Sequence, residues 1–580
     1  MRFVLAIVTF VIAALAIGLG TAERTFLAGP DSVTKSVSTG TTAPVLVIDG
    51  SALHAFKHTQ NVQLTGSGAL TAAYGRTSDI VAWIGNASYT RVTWNAKVGK
   101  LVYRTIVGTE NTVPSPAGSD LWIGEYSGTN VVHFSTALPP HFSVIATADG
   151  TTPAPGQVSL TWPLDNSKPW ATPLVIGGAV LLLVGLILLL WALTHMRRTR
   201  GPRRNQPKMP RLPRQQRYRL SKPKAIAAQK GRRAISRFVA TVPIVAVGAL
   251  VLAGCTAVSP SASLAPSKRP VPTATVRLPS PAVTEVQVSR IIKRIADVTA
   301  KADTELDPTL AATRLAGPAL ELRAANYVVR KKSPKLPAIA PIPSGPVVLT
   351  LPQQTDTWPR TVIAVVQNKA DKTVAPLALA LVQDDPRSNY KVNYAITLLP
   401  KLAFPHVAAE TVGAPRLSPD IGVLSLQPGL VAAAYGDILL KDSASPSYGL
   451  FEATGDSLRA QVGLAAKKAE IKKLPTTARL TFGASPGPGQ VIALATNDSG
   501  AIVAVDLNET KTVRPVKAGA VVNSKGAIAT LSGKSTSSKG LVATYGDQLL
   551  FYVPSATDKS RKIVLLGFSQ GLIAAKEFKK

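Results

Sequence analysis

The chain has 580 residues, a formal charge of +33 and a single cysteine, with 46% apolar and 17% charged residues. That apolar share excludes an intrinsically disordered chain, and one cysteine excludes any disulfide within it. Every folded domain must therefore rest on a hydrophobic core.

In chain order, Phe3 to Gly20 is apolar and follows Met1-Arg2. Residues 1–20 read as a transmembrane helix or signal anchor, and Gly20 and Ala22 also fit a small-x-small cleavage site. Residues 21–172 alternate short apolar runs with Gly, Ser, Thr, Asn and Pro, which predicts a β-rich outer domain, sandwich or barrel. Its expected strands include 44–48, 79–84, 91–94, 101–107, 131–134 and 158–162. Two segments, Asp79 to Gly85 and Ser119 to Gly124, each pair an Asp with a Trp-Ile-Gly strand end. Trp83, Trp122 and Asp120 are candidate ligand-facing residues, the tryptophans as a platform for sugar rings. The competing reading buries both tryptophans in a core, where Trp is usually found.

Residues 173–193 form a second apolar span, flanked by Trp170 and Trp191 as interfacial anchors. The segment 196–237 holds sixteen Lys and Arg and no Asp or Glu. A basic loop between two spans is expected in the cytoplasm, beside anionic headgroups, so nucleic acid is not an expected partner. A third apolar segment, 238–258, contains Leu252-Ala253-Gly254-Cys255. With the basic run Lys230 to Arg237 before it, this is the pattern of an internal lipoprotein signal, with Cys255 the candidate lipidation site. An ordinary transmembrane helix is the alternative. Residues 259–284 are a Pro/Ser/Ala-rich tether.

Thr284 and Gln287 have capping-box spacing, and Val288, Ile291, Ile292, Ile295 and Val298 form one helical face. Two further helices are expected after Pro308 and Gly317. Strands follow at 347–351, 361–367, 377–383 and 390–398, the last two joined as a hairpin through Asp384 to Asn389. Gly429-Leu430-Val431-Ala432, leading to Tyr435-Gly436-Asp437, is echoed by Gly540-Leu541-Val542-Ala543, leading to Tyr545-Gly546-Asp547. Another possible helix, Ser447 to about Lys468, precedes the second set. The echo predicts two tandem α+β outer domains, 285–444 and 446–580, with Tyr435 and Tyr545 marking equivalent strands. Helices leading into a curved antiparallel sheet resemble the cystatin-like or nuclear-transport-factor-like cone. The whole is then a membrane protein with three hydrophobic segments.

The layout resembles a family of uncharacterised actinobacterial multi-pass membrane proteins and lipoproteins. The resemblance is carried by Ser119-Asp120-Leu121-Trp122, the internal lipobox, Gly317-Pro318-Ala319-Leu320 with Leu322-Arg323-Ala324, and Gln383 through Tyr390. Members are sometimes labelled glycosyltransferases, a label the residues do not support. No aspartate here belongs to an Asp-x-Asp pair of the kind that holds a metal on a sugar nucleotide. Gly567-Phe568-Ser569-Gln570-Gly571 matches a nucleophile elbow, but no histidine follows it, so a glycine-bounded turn is the expected reading. Gly533-Lys534-Ser535 lacks the earlier glycine of a phosphate loop, Ile528 standing in its place. His54 and His58 are spaced i,i+4 without the HExxH glutamate. No metal or cofactor is expected.

Residues 21–172 are formally neutral, whereas 256–580 carry +16. These features predict a non-catalytic, membrane-anchored cell-envelope protein with large extracytoplasmic domains. Those domains would bind envelope-assembly proteins, or an anionic wall polymer or lipid-linked glycan. The alternatives are an envelope glycan-active enzyme, using acids such as Asp120 or Asp384, and a purely structural scaffold. Two close carboxylates in an outer cleft would favour the enzyme, an apolar cavity without them a binding protein.

Overall fold

The computed structural model describes residues 2–57, 59–165, 168–198, 278–400 and 404–579. Cys255, segment 238–258, the basic loop beyond Arg198, the tether up to residue 277 and His58 lie outside the described residues.

The chain opens with α1 (Arg2–Arg24), β1 (Ser32–Ser38), β2 (Val45–Ile48), α2 (Gly50–Leu53), β3 (Gln60–Arg76) and α3 (Thr77–Ile84). It continues through β4 (Tyr89–Asn95), β5 (Lys100–Ile106), β6 (Gly124–Thr136), β7 (Phe142–Thr147), β8 (Gln157–Pro163) and α4 (Ala171–Arg198). α1 and α4 belong to one compact unit, and residues 29–167 and 277–580 to another.

Both α1 and α4 are long and apolar enough to cross a membrane. They pack antiparallel through small residues. Gly20 lies against Ala171 and Val175, Gly178 against Ala13 and Ile17, and Gly185 against Phe10. A Cβ at Gly178 would meet Ile17 Cγ1 at 2.6 Å, so only glycine allows this approach. Helix α1 runs unbroken through Gly20 and Ala22. The outer faces remain bare, with Leu5, Leu15, Leu183 and Ile187 exposed.

In the second unit, β1 to β8 form an eight-stranded sheet ordered β1-β8-β3-β7-β2-β4-β5, with β6 on the other edge of β3. β1 and β5 come close, so the sheet nearly closes on itself as a barrel. Long β3 makes this possible, pairing first with β8 and then with β7, on either side of an irregularity between Thr65 and Ala69. Alternate residues Val62, Leu64, Val158, Leu160 and Trp162 point into the core.

The remaining chain begins with α5 (Glu285–Glu305), α6 (Pro308–Ala312) and α7 (Gly317–Lys332). Then come β9 (Val347–Pro352), β10 (Arg360–Val366), β11 (Leu377–Gln383) and β12 (Lys391–Leu398). The expected capping box opens α5: the Thr284 amide donates to Gln287 Oε1 at 2.9 Å, and the Gln287 amide to Thr284 Oγ1 at 3.4 Å. A second series follows: α8 (Val431–Lys441), α9 (Ser457–Val462), α10 (Leu464–Lys472), β13 (Ala478–Pro486), β14 (Ile492–Ala495) and β15 (Ala501–Pro515). The chain ends with β16 (Val522–Asn523), α11 (Gly526–Ser532), β17 (Thr536–Ser537), β18 (Leu541–Val553) and β19 (Val564–Glu577).

Both helix-then-strand series feed one continuous antiparallel sheet, ordered β13-β15-β18-β19-β12-β11-β10-β9. The sequence echo does not mark equivalent places in it. Tyr435 lies on α8 and Tyr545 on β18. Val431, Ala432, Tyr435, Ile438 and Leu439 are buried at helical spacing, whereas Leu549, Phe551 and Val553 are buried on one face of a strand. The same residue types obey two different periods. Helix α8, inside the expected first domain, packs on β13 and β15 of the second series. The expected helix from Ser447 is divided, because Gly463 separates α9 from α10.

Candidate functional site

The residues singled out in the N-terminal domain meet the C-terminal region. Segment 79–84 is helix α3, not a strand, since Ile80, Trp83 and Ile84 are buried at helical spacing and Gly85 ends it at φ +60°. Segment 119–123 is a loop leading to β6. Trp83 and Trp122 are fully buried and meet edge to face, with ring centroids 5.6 Å apart. Trp122 Nε1 donates to Pro116 O at 2.7 Å. Neither ring is open to solvent; both belong to the core beneath the contact between the N-terminal domain and the C-terminal region.

Asp120, also expected to face ligand, is fully buried. Its Oδ2 accepts from Arg314 Nη1 at 2.5 Å and from the Tyr390 amide at 3.0 Å, while Arg294 Nη1 lies 3.4 Å from Oδ1. Asp79 is held the same way, with Arg360 Nη2 donating to its Oδ1 at 2.7 Å. The Arg360 guanidinium also sits 3.8 Å over the Trp358 ring. Carbonyls of the two Trp-Ile segments are capped from the C-terminal side. Arg387 donates to Trp83 O and Ile84 O at 2.9 and 2.8 Å, and Arg290 to Ile123 O at 2.8 Å. Asp384, the other acid considered, is exposed in the β11–β12 turn, so it shares no cleft with Asp120.

A cavity of about 730 Å³ opens at the seam between the two halves of the C-terminal sheet. There β12 and β19 share only two register pairs, Thr397 with Phe568 and Leu398 with Gly567. Beyond them, side chains complete the hydrogen bonding of β12. Ser569 Oγ accepts from the Thr397 amide at 3.1 Å, and Gln548 Oε1 from the Ala395 amide at 2.8 Å. Ser569 thus lies within strand β19, not in a turn, and its hydroxyl accepts a backbone bond rather than facing a general base. Leu322 and Val329 of α7, Leu336, Ile339, Leu398 and Phe568 give the cavity an apolar lining, which among the described residues contains no Asp, Glu, His or Cys. Its 336–340 wall is pinned to α7, with Arg323 Nη2 donating to Ala340 O at 3.0 Å and Asn326 Nδ2 to Pro337 O at 3.1 Å.

Gln461 and Gln570 line this groove and also a second, polar pocket of about 200 Å³. In the polar pocket Lys467 Nζ and Glu509 Oε1 pair at 2.6 Å, both nearly buried, and Lys511 pairs with Glu470. Gln570 Nε2 donates to Glu509 Oε2 at 3.2 Å. Phe482 and Tyr545 supply its aromatic surface. Asp547, facing Gln570 in the β18–β19 register, is fully buried, and neither of its oxygens has a hydrogen-bond partner. Burial, with the Glu509 charge second, pushes its carboxyl up to about 8. Burial likewise raises Asp506, on the same sheet, to about 6.

With the sites described, residues 279–577 match a family described as a domain of unknown function, DUF8094. The chain belongs to that family. No curated protein and no solved structure matches it. The groove, the polar pocket and the arginines that hold Asp79 and Asp120 all lie within the DUF8094 region. Sequence reading missed the groove because its residues come from seven separate stretches of chain, and the one motif among them, the Gly-x-Ser-x-Gly match at 567–571, pointed to a different chemistry. It found Asp120 and the tryptophans through the repeated Asp and Trp-Ile-Gly wording, but that wording encodes docking. His54 is likewise structural, its ring nitrogens 2.9 and 2.6 Å from Gly50 O and Leu138 O. The glycine of Gly533-Lys534-Ser535 ends α11 in a left-handed turn.

Two outcomes follow. Removing one member of a buried ion pair strands the other, at a cost of about 3–5 kcal/mol. Arg360→Ala should therefore lower the thermal midpoint of the full chain sharply. Asp79→Leu combined with Arg360→Met should recover most of the loss. The second outcome concerns pH. The ordinary Asp value is 3.8, so folding takes up protons at Asp547 between about pH 4 and 8, and stability falls as pH rises through that window. Asp547→Asn should melt above the parent at pH 8 and level with it near pH 4.

Proposed function

We propose that this chain is a membrane-held, non-catalytic binding protein of a bacterial, actinobacterial-type cell envelope. In this reading the seam groove takes the apolar part of an amphipathic envelope ligand. The observation that carries it is the groove itself, apolar in lining, within the usual size range of ligand cavities, and free of acid–base side chains among the described residues. The two-helix unit supports membrane residence, since its outward apolar faces are matched by hydrocarbon. In the topology proposed here, only the 196–237 loop and the extreme N-terminus are cytoplasmic, which follows from their charge. Cys255 is the proposed lipid-attachment site, adding a second anchor. Each series of three helices followed by antiparallel strands is compatible with the cone-like comparison.

A second reading, capture of an anionic wall polymer, has its own support. Arg479 and Arg514 face each other across β13 and β15, and with Lys539, Lys576 and Lys579 they line a cleft of about 920 Å³. Like charges placed opposite on neighbouring strands repel, and an anion between them would relieve this.

The groove reading is tested by purifying the full chain from membranes and identifying co-purified lipids by mass spectrometry. A defined lipid species should accompany the parent, and Leu322→Trp, which fills the groove, should reduce it at least tenfold. Equal lipid on both proteins would overturn the reading. For topology, a reporter active only in the cytoplasm should be silent when fused after Lys580. Activity there would reverse the arrangement.

A further inference from the structure

We propose that the polar pocket beside the seam groove is a headgroup site for a neutral, hydroxyl-rich sugar, so that the natural ligand is a glycolipid. This rests on the groove reading and adds the identity of the head.

Continuity comes first. Gln461 and Gln570 line both spaces, so one molecule with an apolar tail in the groove can place its head in the pocket. The tail space, about 730 Å³, is apolar, and the head space, about 200 Å³, is polar and suited to a single ring. An occupant of uniform polarity would mismatch one of them.

The head is neutral because the pocket's charges are already balanced. Its two lysines and two glutamates form two pairs, Lys467–Glu509 and Lys511–Glu470. Adding a phosphate or carboxylate would leave a net charge beside the nearly buried Lys467–Glu509 pair, which is costly unless a new partner neutralises it. Hydroxyl groups need no such neutralisation. Each donates and accepts, and the lining offers both roles: carboxylate oxygens accept, ammonium groups donate, and the Gln461 and Gln570 amides do either. Phe482 and Tyr545 add aromatic faces, against which the C–H face of a sugar ring packs. The Lys467 ammonium lies 5.5 Å from the Phe482 ring centroid, which helps hold that ring in place. Asp547, a fully buried acid, faces Gln570 of this lining across the β18–β19 register.

The test uses three short, soluble probes on the full chain held in an amphipathic polymer: hexyl β-glucoside, hexanol and hexyl phosphate, followed by isothermal titration. Hexyl glucoside should bind at least tenfold more tightly than either of the others. Tyr545→Leu and Phe482→Leu, at residues that line the polar pocket and not the groove, should erase that preference while leaving hexanol affinity within twofold. Tyr545→Phe, which keeps the ring, should retain most of it, and unchanged melting curves would certify the fold of each variant. Leu322→Trp should weaken all three probes. Equal binding of hexanol and hexyl glucoside would remove the sugar site and leave the groove standing. Tightest binding of hexyl phosphate would overturn the neutral head. Failure of all three to bind, in the parent, would remove the groove reading and the sugar site together.

Discussion

A carboxylate with no access to water must be met by a cation, and Asp120 sets that requirement at the centre of this molecule. It is fully buried, and Arg314, the Tyr390 amide and Arg294 all converge on it from the C-terminal region. Asp79 repeats the demand at the neighbouring contact and is answered by Arg360. Both acids lie in the N-terminal domain and the arginines that answer them in the C-terminal one, so the barrel-like sheet and the DUF8094 region have one satisfactory mutual arrangement. A slip of one lobe on the other would strand at least one buried charge, at several kcal/mol. The backbone reinforces this, because Arg387 and Arg290 cap carbonyls that the α3 terminus and the 119–123 loop cannot satisfy themselves.

Docked lobes leave the C-terminal sheet to make its own opening. Its halves meet where β12 and β19 share two register pairs, too few to close the ladder. Buried backbone amides need acceptors, and Ser569 and Gln548 supply them from side chains. That substitution lets the strands part without an energetic penalty from bare N–H groups, and the groove occupies the space between them and α7. A Cβ on Gly571 would press on the tip of Leu322, so a side chain there would push Leu322 of α7 out of its present place in the groove wall.

Local signals in the sequence translated well wherever the interactions were local. The Thr284–Gln287 box opens α5, the face from Val288 to Ile295 is buried, and Asp384 to Asn389 turns β11 into β12. The short apolar stretch 79–84 was ambiguous because six residues satisfy a strand and a helix almost equally, and burial on one helical face decided it. The echo around Tyr435 and Tyr545 failed for a related reason. Composition repeats there, but the residues before Lys441 are buried at helical spacing, whereas Leu549 to Val553 pass alternately into the cores on the two faces of the sheet. Asp120, Trp83 and Trp122 stood out in sequence because docking residues share the chemistry of ligand sites. Nothing in a one-dimensional reading says whether an Asp beside a Trp will meet solvent or another lobe. The stretches of chain that resembled a known layout, Ser119 to Trp122 and Gln383 to Tyr390, sit in that interface.

The buried ion pairs also differ in what they achieve. Those at Asp79 and Asp120 join lobes, and their geometry specifies an arrangement that apolar residues would leave loose. Lys467–Glu509 joins α10 to β15 within one half of the domain, where aliphatic side chains of similar volume would pack as well or better. It stands over Asp547, whose carboxyl carries a further cost of burial without hydrogen bonds. A sheet optimised for stability alone would place neither there. They lie beside an open pocket, joined through Gln461 and Gln570 to an apolar groove, and in the proposed reading that cost is returned in binding. Polar groups fixed in place before a ligand arrives lose little freedom when they engage it, so the expense falls on the fold and the gain on recognition.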